Sequence, residues 1–155
     1  MSSGAEVLMV VGTHAGDAEV MAGAVVAQQV RDGGKAVIVH LTLGERGQGR
    51  LTEQEYARQK ADEAQAFGRV VGADIVVPPY KDTELAATEE AKLRVCDGIR
   101  KHRPDVLISH WRGSIHRDHV ECTTIVEEAL FYAGLPSLQR EHPAHNVGLL
   151  CFGEN

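Results

Sequence analysis

Blocks of apolar and polar residues alternate along the chain and predict five strands and four helices. Short runs rich in Val, Ile and Leu, such as 7–11 and 106–108, are almost continuously apolar. Such runs are typical of strands buried on both faces of a sheet, and longer amphipathic stretches between them are typical of helices. The predicted strands are 6–12, 35–42, 73–77, 104–110 and 146–153. The predicted helices are 17–32, 52–71, 88–102 and 117–134.

Residues that begin and end helices support these boundaries. Thr52 followed by Glu55 forms a capping-box pattern, Gly72 is placed to end the second helix, and Pro104 stops the third. Strands that alternate with helices favour a parallel sheet. We therefore expect one α/β domain over residues 1–155, with a Rossmann-like, open and mostly parallel sheet that carries helices on both faces.

Composition and charge exclude several classes of partner. The net charge of the 155 residues is −6, and the basic residues are dispersed, so neither nucleic acid nor an anionic membrane is an expected partner. Cys96, Cys122 and Cys151 form no CxxC pair and are interpreted as reduced thiols of a cytoplasmic protein. No apolar stretch approaches the roughly 20 residues of a membrane span. The sequence is compatible with a homo-oligomer.

Two polar motifs follow apolar strands and carry the candidate chemistry. His14 and Asp17 follow the first predicted strand, and His116, Asp118 and His119 follow the fourth. Because the carboxyl ends of parallel strands face one crevice, these side chains are expected to meet there. Two His and one Asp leave a coordination position open, as catalytic zinc requires. The alternative is that the two Asp residues only cap helices.

Three further segments are candidates for the rim of the same crevice. The loop 44–50 lacks both GxGxxG and the Lys-Ser/Thr of a P-loop, and its Arg46 or Arg50 is a candidate for binding an anionic or hydroxyl-rich substrate. Asp82, past the third strand, is a second candidate for substrate binding. Solvated arginines and a loop-turn Asp are the alternatives. His110, at the end of the fourth strand, either lines the pocket or is packed in the core.

At these residues the chain resembles the PIG-L/LmbE-like family of metal-dependent N-deacetylases. That family carries an AHPDD(x)E motif after its first strand and HxDH after a later one; here residues 13–19 read THAGDAE and residues 116–119 read HRDH. Residues 41–47 and 103–106 are also similar to family segments. The resemblance runs through nearly the whole chain. Because family members are usually longer, we expect this domain to lack a C-terminal portion.

The resemblance implies a role for each matching residue. His14, Asp17 and His119 are the implied ligands of Zn²⁺ or of another divalent transition metal. His116 would stabilise the oxyanion or protonate the leaving amine, and Asp118 would orient a neighbouring His. The implied substrates are small N-acetylated amino sugars or their conjugates, often of glucosamine, which are cleaved to acetate and a free amine.

The first motif departs from the family pattern at two positions. Ala15 replaces the usual Pro, and Gly16 replaces the first Asp, which is the expected general base. A general base contributes ~10²–10⁴-fold to rate, so a slow deacetylase is expected unless Glu19, Asp118 or Glu45 substitutes. Two alternatives remain. One is a non-catalytic relative that binds metal and an acetylated ligand, and the other is a nucleotide-binding α/β module without metal.

Overall fold

A computed structural model describes residues 6–154, in which five strands alternate with four helices. The strands are β1 (Val7–Gly12), β2 (Lys35–His40), β3 (Asp74–Val76), β4 (Val106–His110) and β5 (Leu149–Gly153). The helices are α1 (Asp17–Arg31), α2 (Glu53–Val71), α3 (Glu89–His102) and α4 (Arg117–Ala133). The predicted order of elements is confirmed, and the strands are shorter than predicted at several ends.

The strands form one parallel sheet in the order β3-β2-β1-β4-β5. One row of aligned residues crosses the sheet and consists of Val76, Val39, Val11, Ser109 and Phe152. The chain builds outward from β1 to β3 and then returns to place β4 on the other side of β1. This reversal opens a crevice at the carboxyl ends of β1 and β4, where α/β proteins bind ligands.

Helices cover both faces of the sheet because side chains alternate along each strand. In β1, Leu8 and Val10 pack under α1 and α2, whereas Met9 and Val11 pack under α3 and α4. Burial of an aliphatic side chain contributes about 1.5–3 kcal/mol, so these two clusters supply most of the driving force for folding. The predicted Rossmann-like α/β class, with a parallel sheet between helices, is confirmed.

The ends of the helices match the sequence signals. Thr52 Oγ1 accepts from the Glu55 N–H at 3.2 Å, and the Glu55 carboxylate accepts from the Thr52 N–H at 2.9 Å. Gly72 ends α2 with φ of 81°, and Arg103 ends α3 in the left-handed region just before Pro104. None of the helices within residues 6–154 combines the length and apolar character needed to cross a bilayer.

One buried arginine holds the segment between α4 and β5. Arg100 is only 2% exposed, although it carries a charge. Its guanidinium donates to the backbone carbonyls of Tyr132, Ala133, Leu135, Leu138 and His142. These acceptors lie at the end of α4 and in the loop that follows it. The side chain therefore fixes a segment that lacks a helix or strand of its own.

Candidate metal centre

The structure brings the two polar motifs together at the crevice between β1 and β4. His14 lies two residues past the end of β1, and Asp17 is the first residue of α1. His116 is the N-cap of α4, and His119 lies in its first turn. The aligned ends of β1 and β4 place these two loops at the same edge of the sheet. Residues about 100 positions apart in the sequence thus meet in one site.

The carboxylate of Asp17 is the centre of this cluster. Its Oδ2 lies 3.0 Å from His14 Nδ1 and 3.2 Å from His119 Nε2, and it accepts from the His14 backbone N–H at 2.8 Å. The three side chains each offer one ligand atom, and these atoms lie within 4.8 Å of one another. Two imidazoles and a carboxylate are a donor set that suits zinc and similar divalent metals.

Asp17 is held ionised by its surroundings. Burial disfavours its charged form, but the rings of His110, His119 and His14 and the His14 N–H favour that form more strongly. The pKa of Asp17 is therefore far below its ordinary value. An ionised carboxylate between imidazoles is ready to bind a cation without first losing a proton.

The ring of His14 lies between Asp17 on one side and Asp82 and Asp118 on the other. Its Nδ1 faces Asp17, and its Nε2 lies 3.1 Å from Asp82 Oδ1 and 3.8 Å from Asp118 Oδ2. Nε2 is buried, and the contact with Asp82 is not aligned as a hydrogen bond, so no group among residues 6–154 makes one with this atom. Burial lowers the pKa of His14, but the three carboxylates outweigh burial and raise it. The surroundings of this ring therefore favour positive charge, which a bound metal would supply.

His116 presents a hydrogen-bond donor beside this cluster. Its ring centroid lies 4.9 Å from that of His14 and 4.6 Å from that of His119. As the N-cap of α4, its Nδ1 accepts from the Asp118 backbone N–H at 3.2 Å. The neutral ring therefore carries its proton on Nε2. The helix cap thus selects the tautomer that can donate from Nε2.

Two residues support His119: His110, which the sequence offered as a pocket-lining candidate, and Ser114, which the sequence did not assign to the site. His110 is buried and stacks on the His119 ring with centroids 3.9 Å apart. Its Nε2 accepts from the Thr13 backbone N–H at 3.0 Å, and burial lowers its pKa. Ser114 Oγ lies 3.3 Å from His119 Nδ1. A His at the end of an apolar strand was a signal for His110, whereas nothing in the local pattern marked Ser114.

Arg46 and Asp82, predicted to bind substrate, lie side by side next to the cluster. The backbone N–H of Arg46 donates to Asp82 Oδ2 at 3.0 Å, and Asp82 is 4% exposed. The Arg46 guanidinium donates to Asp82 O, Thr83 Oγ1, Glu53 Oε1 and Glu84 Oε1. The contacts of Arg46 thus join two loops to the start of α2. Its contact with a substrate, like that of Asp82, stays a prediction.

Gly16 occupies a backbone conformation that side chains rarely adopt. It is the N-cap of α1 and has φ of 118°. A Cβ there would have space, since its nearest neighbour would be Lys60 Nζ at 3.8 Å. The obstacle to a side chain at this position is therefore the backbone angle rather than crowding.

All three carboxylates considered as replacement bases are already engaged by other groups. Glu19 Oε2 accepts from the Gly16 N–H at 3.1 Å, and Glu19 Oε1 lies 3.1 Å from the buried His40 Nε2. Glu45 Oε1 accepts from the Asp82 N–H at 3.0 Å. The third, Asp118, accepts from the Thr83 backbone N–H at 2.7 Å, and the same oxygen lies 3.8 Å from His14 Nε2. Their role as a base stays a prediction.

A cavity of about 200 Å³ adjoins the cluster. His14, Asp82 and His116 line one side, and Tyr56 and Lys60 of α2 line another. Bare backbone of the loop after β2 completes the wall, at glycines of the Gly-Glu-Arg-Gly segment. A small molecule in this cavity would touch both the cluster and α2.

Two curated proteins illustrate the range of activities among the relatives of this chain. It is 26% identical over 133 residues to 4-oxalmesaconate hydratase of Pseudomonas putida, covering 81% of this chain and 52% of the relative. It is 27% identical over 135 residues to diacetylchitobiose deacetylase of Thermococcus kodakarensis, covering 82% of this chain and 50% of the relative. The chain spans about half the length of these curated relatives.

A comparison with solved structures and a family profile lead to the same group of proteins. The structure is similar to that of the conserved protein TT1542 from Thermus thermophilus, with a TM-score of 0.83 and 28% identity. The match covers 96% of this chain and 66% of that protein. The family profile described as PIG-L, GlcNAc-PI de-N-acetylase, matches residues 9–130 and so includes both polar motifs. The chain belongs to the PIG-L family.

Proposed function

We propose that this chain is a zinc-dependent N-deacetylase that removes the acetyl group from a small N-acetylated amino sugar of the glucosamine type. The observation that carries the proposal is the convergence of His14, Asp17 and His119, with one ligand atom each within 4.8 Å of the others. Membership of a de-N-acetylase family supports the reaction class. Another divalent transition metal would fit the same donors.

Three side chains would hold the metal, and two others would fix their orientation. A metal in this place would polarise the acetyl carbonyl and lower the pKa of a water molecule to about 7. Asp82 Oδ1 lies 3.1 Å from His14 Nε2, and after a small rotation it would accept the Nε2–H, which would leave Nδ1 free to bind. Ser114 Oγ is placed to accept the Nδ1–H of His119, which leaves Nε2 free. Partners of this kind set the tautomer and basicity of a ligating imidazole.

His116 would stabilise negative charge on the substrate and donate a proton to the leaving group. Water adds to the acetyl carbonyl carbon, the C–N bond breaks, and the products are acetate and an amine that has gained a proton. The Nε2–H of His116 would donate to the carbonyl oxygen as negative charge develops there. Its ring would also be the donor to the leaving nitrogen. Asp118 holds this ring by its backbone N–H at 3.2 Å.

The glycine at position 16 sets the expected rate. In the family pattern an Asp at this position takes a proton from water, and Gly16 has no side chain to do so. A general base contributes ~10²–10⁴-fold. We therefore expect acetate release that is slower by a factor of this order than in relatives that retain the Asp.

A second candidate is the addition of water to a conjugated double bond. Hydration also takes a proton from water and delivers one, to carbon instead of nitrogen, so Gly16 affects both reactions alike. One of the curated relatives is a hydratase. The same His and Asp cluster would serve either reaction. A non-catalytic protein that binds metal and ligand is the remaining alternative.

A paired assay tests these alternatives. The zinc-loaded protein is incubated with diacetylchitobiose, with acetate release measured, and with a muconate-type conjugated acid, with loss of ultraviolet absorbance measured. We expect acetate release that His119→Ala abolishes together with zinc binding, whereas His116→Ala keeps the zinc and slows turnover. Loss of absorbance without acetate release would assign the hydratase reaction instead. Bound zinc with neither reaction would support the non-catalytic alternative.

A further inference from the structure

A lysine of α2 lies beside the position of the missing acid of the first motif. A Cβ at Gly16 would be 3.8 Å from Lys60 Nζ, so an Asp at this position would have faced the ammonium group directly. With glycine there, the ammonium has no such neighbour from residue 16. Lys60 instead lines the cavity that also contains His14, Asp82 and His116.

The existing partner of Lys60 is weak. Its Nζ lies 2.9 Å from Glu63 Oε2, one turn further along α2. The Glu63 side chain is 49% exposed, whereas that of Lys60 is 20% exposed. Exposed ion pairs of this kind contribute about 0–1 kcal/mol. An ammonium has three donors, so an anion in the cavity can bind Lys60 beside Glu63 or in its place.

In the part of the chain that the structure describes, no other residue that lines the cavity is placed to neutralise the Lys60 ammonium, so a ligand can do so. The acid on the wall, Asp82, already accepts from the Arg46 N–H at 3.0 Å and lies 3.1 Å from His14 Nε2. Tyr56 lies four residues before Lys60, on the same face of α2, and also lines the cavity. Gly44 has φ of 70°, and a Cβ there would lie 3.1 Å from the His14 Cβ, so bare backbone forms this side of the cavity.

We propose that the substrate carries a carboxylate, which Lys60 binds while the reacting group lies at the metal centre. The inference rests on the proposed metal centre and names the substrate class of that site. A neutral amino sugar would leave the lysine with its exposed partner Glu63 alone, whereas a carboxylate forms a charge-assisted hydrogen bond with it inside the cavity. An N-acetylated amino sugar that carries an acid group would satisfy this requirement in the deacetylase, and an unsaturated acid would satisfy it in the hydratase.

Binding of simple acids tests the role of Lys60. Dissociation constants for acetate and for dicarboxylates from malonate to adipate are measured by calorimetry on the zinc-loaded protein. We expect the best dicarboxylate to bind about 10-fold more tightly than acetate, as one added charged hydrogen bond provides. Lys60→Gln should remove this advantage and leave acetate unchanged, and Lys60→Arg should retain it. Lys101→Gln, which removes an exposed lysine of α3, is the matched control and should change neither value.

The outcomes separate this inference from the metal centre. A dicarboxylate advantage that persists in Lys60→Gln, or no advantage in the unaltered protein, overturns the role of Lys60. Failure of zinc to bind overturns the metal centre alone, because the same titrations on metal-free protein still test the lysine. If the metal-free protein binds a dicarboxylate and Lys60→Gln weakens that binding, the contact between Lys60 and a carboxylate is supported. Binding that does not depend on Lys60 in either form would overturn it.

Discussion

At the scale of single residues, the orientation of His14 decides what the site can hold. One ring nitrogen faces Asp17 and His119, and the other faces the buried Asp82. A proton on Nε2, on the side of Asp82, leaves the lone pair on Nδ1, on the side of the other two donors. The contact of Asp82 with substrate stays a prediction, and we infer in addition that this carboxylate fixes the His14 ring.

Asp82→Asn tests this orientation. The amide is a weaker acceptor than the carboxylate, so the preference for the Nε2–H tautomer of His14 falls. We expect zinc affinity to fall about 10–100-fold, as is typical when such a partner is lost, measured by competition with a chromophoric chelator. The spectrum of bound Co²⁺ should also shift, which a purely structural loss of stability would not cause. Asp62→Asn, at an exposed position of α2, is the control; unchanged affinity in Asp82→Asn would contradict the role.

Restoring an acid at position 16 should have two opposing effects. Gly16→Asp supplies the carboxylate expected of the family but forces a side chain onto a backbone with φ of 118°. We expect faster acetate release together with a loss of about 1–3 kcal/mol in the free energy of unfolding. Gly16→Ala should show the loss of stability alone. If both variants release acetate at the original rate, the proton acceptor does not act from position 16.

At the scale of elements, one arginine substitutes for regular structure after α4. Arg100→Met should remove the five hydrogen bonds from this buried guanidinium to the carbonyls of the segment, and we expect a loss of about 2–4 kcal/mol in the free energy of unfolding. Urea denaturation followed by circular dichroism measures it. Arg69→Met, at an exposed position of α2, should change stability by less than about 0.5 kcal/mol. Equal effects of the two substitutions would contradict the role of Arg100.

Element boundaries show how far the sequence alone could predict the fold. Local signals placed α2 correctly, because Thr52, Glu55 and Gly72 act on their own helix. The predicted last strand, 146–153, begins at Leu149 instead. The Gly148 and Leu149 N–H groups both donate to Asp105 O, a turn contact from a distant part of the chain that no local pattern encodes.

The same distinction applies to the candidate site. The meeting of His14 and His119 was predictable, because parallel strands carry their carboxyl ends to one edge. The contact of Asp82 with His14 was not, since Asp82 lies in a long loop whose path depends on a hydrogen bond that its N–H donates to Glu45 and one that it accepts from the Arg46 N–H. Tertiary contacts between loops leave no periodic trace in the sequence, so this part of the site could not be predicted from it.

At the scale of the whole molecule, the candidate ligands join the starts of α1 and α4 across the β1–β4 pair. A metal that binds only the folded chain stabilises it by about 2.7 kcal/mol at a free concentration 100 times its dissociation constant. We expect removal of zinc with a chelator to lower the free energy of unfolding by this amount. Calorimetric melting with and without zinc measures the difference. His119→Ala should melt at one temperature in both conditions, and a zinc effect that persists in it would place the metal elsewhere.

The insertion of β2, α2, β3 and α3 between the two halves of the site has a consequence for biosynthesis. A nascent chain that has emerged from the ribosome only as far as α3 carries His14 and Asp17 but not the third donor. Full capture of an ion must therefore wait until α4 is released and β4 has docked beside β1. Metal loading would then mark the completion of folding rather than its beginning.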